Sequence, residues 1–367
     1  MAITRLGPNQ DITAAKIAGT INFKNLIING DMSIAQRGTS HSYNGNSAYN
    51  LDRFNIDNTS GAVGDITVTQ ESDAPSNTGL TKSLKITPDA TETQTGGMNT
   101  VLTQSLEGYT VAPLQHGQSN PPQATLSFWV KSNKTGTYSV QIKEEGIVDE
   151  QYLLFAYTIN SSNTWERKTF TWTGNSTHSL NYDNSEQFRI VWTLACGPDD
   201  KTSATTTWTT STSFKAVTDQ VNFLDNTANE WYITGVQLEV GTSASDFEFI
   251  PYDVNLQRCQ RYYYAHEDNV ARVGRQLSNT ECGYDLPFPN TMRTTPTVTY
   301  NSPSSDLVQV NGNNQSPTGY DSSRSTFGTK SAFLALDFPS NGAGNNICCK
   351  VILSHSAVSK KEFDAEL

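Results

Sequence analysis

The sequence predicts an all-β protein: an antiparallel jelly-roll sandwich, a short helical joint and a second, smaller β-sandwich domain. Three observations predict it. Only 17% of the chain is charged and 35% hydrophobic, so Thr, Ser, Asn, Gly and Gln fill the rest, as solvated sheet faces and turns require. Strand-length runs with a two-residue period recur from residue 81 onward, separated by turn residues and not by amphipathic helices. Finally, 367 residues exceed what one small sandwich needs. Six Trp, 15 Tyr and 15 Phe supply apolar area for more than one core.

Taken in order, residues 1–25 are polar with scattered apolar positions and read as an arm that needs a partner surface to become ordered. The run NLIINGDMSIAQRG follows, with Leu26, Ile27 and Ile28 as a short buried strand ended by Asn29-Gly30. The clearest hairpin is ATLSFWVKSNKTGTYSVQIKEE. Leu126, Phe128 and Val130 share one face, SNKTG turns, and Tyr138, Val140 and Ile142 return on one face. The runs LLFAYTI, RKTFTWTG, FRIVWTLACG and EWYITGVQLEVG continue the sandwich, with residues 198–229 as a long Thr/Ser/Asp-rich loop holding a small strand, TTTWTT.

The stretch FEFIPYDVNLQRCQRYYY then changes character. Its apolar positions at 256, 259, 262 and 263 fit one face of a helix starting after Pro251, with Asp253 or Asn255 as N-cap. Such a segment is too short to stand alone and must pack on something. The runs RTTPTVTYN, DLVQV, SAFLALDF and NICCKVILSH, and the ending KKEFDAEL, form a second β region around a Gly/Ser/Asn-rich loop, 311–330. The expected units are therefore an arm (1–25), a jelly roll (26–251), a helical joint (252–265) and a C-terminal β-domain (266–367).

The net charge of -11, with no Lys/Arg run, argues against nucleic-acid binding, which draws most of its affinity from neutralised phosphates. It argues equally against electrostatic docking on anionic lipid. No window reaches the ~18 apolar residues of a membrane span, so no membrane insertion is expected. The opening MAITRLGPNQDITAAK lacks the apolar centre of a secretory signal and implies synthesis in a cytoplasm without export by that route. The five cysteines, Cys196, Cys259, Cys282, Cys348 and Cys349, make no metal spacing and read as small buried hydrophobes of a reduced chain.

No nucleophile elbow, P-loop or G-x-G-x-x-G follows a strand. His41, His116, His178, His266 and His355 are scattered and read as surface or loop residues. No carboxylate pair stands out, Glu144-Glu145 reading as a solvated strand end, and no repeat suggests a β-helix. The expectation is no catalytic residue, no metal and no enzyme. QRCQRYYY could stack bases, but its spacing fits a buried seam better, formed by Leu256, Cys259 and Tyr263 between domains or subunits. As sugar platforms, Trp208 and Tyr320 are the best-placed aromatics, with Asp321 and Arg324 to bond hydroxyls.

NLIINGDMSIAQRGTS resembles the opening of jelly-roll carbohydrate-binding modules, and WYITGVQLEVG resembles their closing strand. Such modules can hold calcium near these strands. Here Asp31 is present, but Ile233-Thr234-Gly235-Val236 carries no acid, so no cofactor is expected. The longer set, adding SAYNLDRFN, ITGVQLEVGTSASDFEFIPYDVNLQRCQRYYY, MRTTPTV and FDAEL, resembles bacteriophage tail-fibre or receptor-binding virion proteins over most of residues 26–367. The resemblance implies a homotrimeric fibre or spike on the virion surface. Residues 1–25 would dock to other phage tail or capsid proteins, and the distal domain would meet host cell-surface polysaccharide. Three copies of the 256–264 segment would then meet near the axis. A capsid decoration or collar protein and a polysaccharide depolymerase are the rival functions.

Overall fold

The computed structural model describes residues 23–43, 47–59, 66–210, 214–266, 271–300, 306–310, 313–339, 348–352 and 361–367. Most of the expected arm, residues 1–22, and stretches 311–312 and 340–347 of the C-terminal region lie outside them. The fold is all-β. The N-terminal part is an antiparallel jelly-roll sandwich of two sheets. The first has six strands in the order Ser40–Tyr43, Ile66–Glu71, Ser83–Pro88, Trp231–Val240, Gln123–Ser132 and Glu166–Thr173. The second, of seven, has Gly136–Glu144, Glu186–Cys196 and Asn99–Glu107 at its centre. Leu126, Phe128 and Val130 face inward onto Trp192, Tyr138 and Tyr157, all fully or nearly fully buried. The two-residue alternation is thus spent on a core between sheets.

The C-terminal part has its own core. An eight-stranded sheet built around Ala271–Ser278, Glu281–Pro287, Ser331–Asp337 and Cys348–Ile352 packs with a three-stranded sheet of Tyr263–His266, Lys361–Asp364 and Thr297–Tyr300. Parts of the expected 311–330 loop are short strands, Asn313–Gln315, Gly319–Tyr320 and Thr326–Phe327, the last two pairing with Ser331–Asp337.

Three sequence expectations change. The helix runs only over Tyr252–Gln260, with Pro251 at its N-cap and no side-chain cap. Tyr263 leaves it because it pairs with Asp364 across the three-stranded sheet, a long-range bond the local spacing does not reveal. Asn255 caps nothing. Its Nδ2 donates to Asp31 Oδ1 at 3.1 Å and its Oδ1 accepts from the Asn29 N–H at 3.3 Å, tying the helix to the opening motif. The cysteines also differ: Cys282 and Cys349 form a disulfide. Their strands flank Ala271–Ser278, and the bridge passes over Gly274, where a Cβ would lie 2.8 and 2.9 Å from the two sulfurs. Cys196 and Cys259 are free and buried.

The third change is Glu144, which is fully buried and not solvated. His116 Nδ1 lies 2.7 Å from one oxygen, and His178 Nδ1 at 3.2 Å and Asn175 Nδ2 at 3.0 Å reach the other. These partners satisfy a carboxylate that would otherwise be costly to bury.

The two domains meet in a dense junction. Ile28 and Ile34 of the opening motif pack with Cys259 and Tyr262, with Leu256 and Leu367 against them. Arg53, fully buried, lies 3.5 Å above the Tyr262 ring and pairs with Glu366. Arg37 lies 3.6 Å above the Tyr263 ring and reaches Asp364 at 3.1 Å and Glu366 at 3.3 Å. Arg261 grips Glu107 through two 2.9 Å bonds, and Arg293 donates to the carbonyls of Ala365 and Glu366 at 2.7 and 2.6 Å. The strings LDRF, RCQRYYY, MRTT and EFDAEL, far apart in sequence, therefore converge here. Cys259 and Tyr263 are already buried within one chain, which leaves them no surface on which three copies could meet.

Candidate functional site

The outer face of the first sheet carries a groove. Trp129 sits mid-strand in Gln123–Ser132, pointing away from the core because Phe128 and Val130 point into it. Its register neighbours are Arg167 on one side and Thr234 on the other. The register slips between Thr234 and Gln237, where Gly235 adopts φ +59°, a conformation glycine reaches without penalty. A Cβ there would lie 2.8 Å from Leu80 and 3.0 Å from the Trp129 ring, so the glycine keeps the groove open.

The fourth wall comes from the segment after Val240. Glu239 accepts hydrogen bonds from the N–H and hydroxyl of Ser245, and Gln237 Oε1 accepts from the Glu248 N–H at 2.8 Å. The Glu248 carboxylate in turn accepts the N–H groups of Phe23 and Asn25 at 3.1 and 2.8 Å. These clamps set Phe247 and Phe249 edge to face, 5.0 Å apart, with Phe249 half exposed (52%). The groove holds about 280 Å³, walled by Trp129, Leu80, Phe247 and Phe249, with Arg167 and Asp246 at its rim. Arg167 donates to Ser127 and to the Ser245 carbonyl, but forms no ion pair among the described residues. A flat indole bordered by a guanidinium and a carboxylate suits a sugar ring, whose C–H face is apolar and whose hydroxyls both donate and accept.

The residues singled out from sequence lie elsewhere. Tyr320 is half-buried on the eight-stranded sheet of the C-terminal part, 5.6 Å from Tyr300, and burial raises its pKa. The Asp321 carboxylate accepts from the hydroxyl and N–H of Ser323 at 2.6 and 2.8 Å, bonds that hold it below the usual carboxylate range. Arg324 Nη1 is 2.7 Å from Glu281. Glu281, Asp321 and Asp337 place carboxylate oxygens within 4.8 Å of one another, close enough to share a cation, but Arg324 already pairs with Glu281 there. Trp208 donates its indole N–H to the Thr173 carbonyl at 2.9 Å and meets His116 at 5.2 Å in a T-shaped contact, so much of its ring is engaged. Leu256, Cys259 and Tyr263 lie in the junction. Burial pushes the Cys259 thiol well above its ordinary range, which removes it as a nucleophile.

The sequence reading missed Trp129, Arg167, Asp246, Phe247 and Phe249. The signal was an aromatic on the outward parity of a strong strand, but its neighbours come from pairing and from a tail that folds back.

No protein-family model and no curated protein matches the sequence. Among solved structures, the enzymatically active domain of tailspike protein 4 of bacteriophage CBA120 aligns over 60% of this chain and 22% of its own, with 13% identity and a TM-score of 0.31. This chain thus spans about a fifth of that one. The family 11 carbohydrate-binding module of a cellulosomal cellulase from Clostridium thermocellum aligns over 59% and 96%, with 11% identity and a TM-score of 0.29. A CBM4 module aligns over 58% and 98%, with 16% identity and a TM-score of 0.31. Likeness this slight carries no function across.

Proposed function

We propose that the protein is a non-catalytic virion component of a bacteriophage, a tail fibre or spike that recognises host-surface polysaccharide through the groove around Trp129. The observation that carries the recognition reading is the outward indole flanked by Arg167 and Asp246, with Phe247 and Phe249 closing the wall. The phage assignment is supported by the tail-fibre resemblance of the motif set. That set builds the junction and also supplies Gly235, Asp246, Phe247 and Phe249 of the groove, whereas Trp129 and Arg167 lie outside it. Recognition thereby moves from the C-terminal loops to the sandwich. Tyr320 and Asp321 are engaged in ring and turn contacts, whereas the groove sets an outward indole beside a guanidinium and a carboxylate.

The test is adsorption of the full chain to host cells or to purified host polysaccharide. Trp129→Ala is expected to weaken binding tenfold or more, and Tyr320→Ala to leave it unchanged. The reverse pattern would return recognition to the C-terminal domain. Release of reducing ends from the polysaccharide would instead establish the depolymerase. Electron microscopy of the particle tests trimeric state, the docking role of residues 1–25 and virion location together.

A further inference from the structure

A second concavity lies at the junction, between the helix and the sandwich, and holds about 480 Å³, within the ~300–1,000 Å³ of small-molecule sites. Tyr252, Leu256 and Gln260 stand at i, i+4 and i+8 and so share one stripe of the helix. Ile34 and Gln70 of the sandwich and Tyr264 of the C-terminal part line the same cleft. No lining residue carries a formal charge, in a chain whose net charge is -11.

Its polar groups are oriented by partners outside the cleft. Gln260 accepts from Asn290 Nδ2 through its Oε1 at 3.0 Å, which assigns its side-chain N–H₂ to the remaining bonds. Gln70 donates its Nε2 to the Met32 carbonyl at 2.7 Å, which leaves its Oε1 as acceptor. Tyr252, held at the first helical position behind Pro251, is 62% exposed. Gln260 thus keeps its N–H₂ as donor and Gln70 its Oε1 as acceptor, and an exposed phenol ring joins them in the lining.

We infer that this cleft is a second carbohydrate site, for a neutral oligosaccharide. A charged ligand would find no counter-ion there and would lose hydration without return. An apolar one would strand the amides of Gln260 and Gln70. A neutral sugar matches both: hydroxyls to the amides, and a C–H face to Tyr252 and Leu256. The inference is independent of the groove reading.

The test is titration calorimetry on the full chain with maltohexaose, cellohexaose and chitohexaose, using Trp129→Ala, Tyr252→Ala and Gln260→Ala. Tyr252 is exposed and Gln260 half-exposed, and unchanged melting of their variants checks that folding is kept. In the Trp129→Ala background at least one of the three sugars is expected to bind. Adding Tyr252→Ala or Gln260→Ala should then weaken it tenfold or more. No binding in that background, or binding indifferent to both cleft substitutions, overturns the inference. Binding that survives Trp129→Ala in full yet is lost on the cleft substitutions leaves this inference standing and shows that these sugars do not use the groove, whose own test is host polysaccharide.

Discussion

Glu366→Ala is the perturbation with the largest expected effect. The Glu366 side chain is almost wholly buried and pairs with two arginines, Arg53 with no exposed side-chain surface and Arg37 with little. Arg37 retains Asp364 when Glu366 is removed. Among the described residues Arg53 retains the Ser105 carbonyl and the Tyr262 ring face, so a buried guanidinium loses its counter-ion. Breaking a buried pair in this way costs about 3–5 kcal/mol, against ~0–1 kcal/mol for an exposed one. Much of that cost is the stranded charge and not the worth of the pair. The double variant Arg53→Met with Glu366→Leu should therefore recover most of the loss. Urea unfolding followed by tryptophan fluorescence measures both. A Glu366→Ala loss under about 1 kcal/mol, the range of exposed pairs, would refute the claim that this pair holds the junction.

Two further predictions concern titrating groups. Cys259 and Cys196 should resist a thiol reagent in the native chain at pH 8 and react once it is unfolded. Burial pushes the first well above its ordinary value, and burial, aided by Asp200, pushes the second to about 12. Mass mapping of a native adduct at either position would contradict this. Desolvation acts to raise the Glu166 carboxyl, but bonds from Lys168, Ser161 and Asn160 outweigh it and hold the group at about 2. With its folded value depressed below 4.5, Glu166 adds stability that is complete above that pH and lost as pH falls toward about 2. A Glu166→Gln variant should show a shallower acid loss across that window, and an unchanged slope would count against the reading.

The parts of the fold legible in the sequence were those written in local period. Leu126, Phe128 and Val130 announced a two-faced strand, and the same parity already placed Trp129 outside. What it could not supply was Arg167 beside it, since register between separate strands is set by pairing across the sheet. Glu144 shows the opposite failure. Next to Glu145 at a strand end it reads as solvated, and only the approach of His116 and His178, distant in sequence, makes burial tolerable. Cys282 and Cys349 stand 67 residues apart, and Gly274, on the strand between them, leaves room for the bridge. The joint was legible in kind but not in extent, because Tyr263 pairs with Asp364 instead of continuing the helix.

The segment that closes the groove runs straight into the helix that lines the cleft. Phe249 belongs to one and Tyr252 to the other, and three residues of chain span at most about 11 Å. Were both to take sugar, one polysaccharide strand would have little distance to bridge between Phe249 and Tyr252. Two weak contacts so placed combine through effective concentration, so repeated sugar units would be held by avidity long after either contact alone had let go.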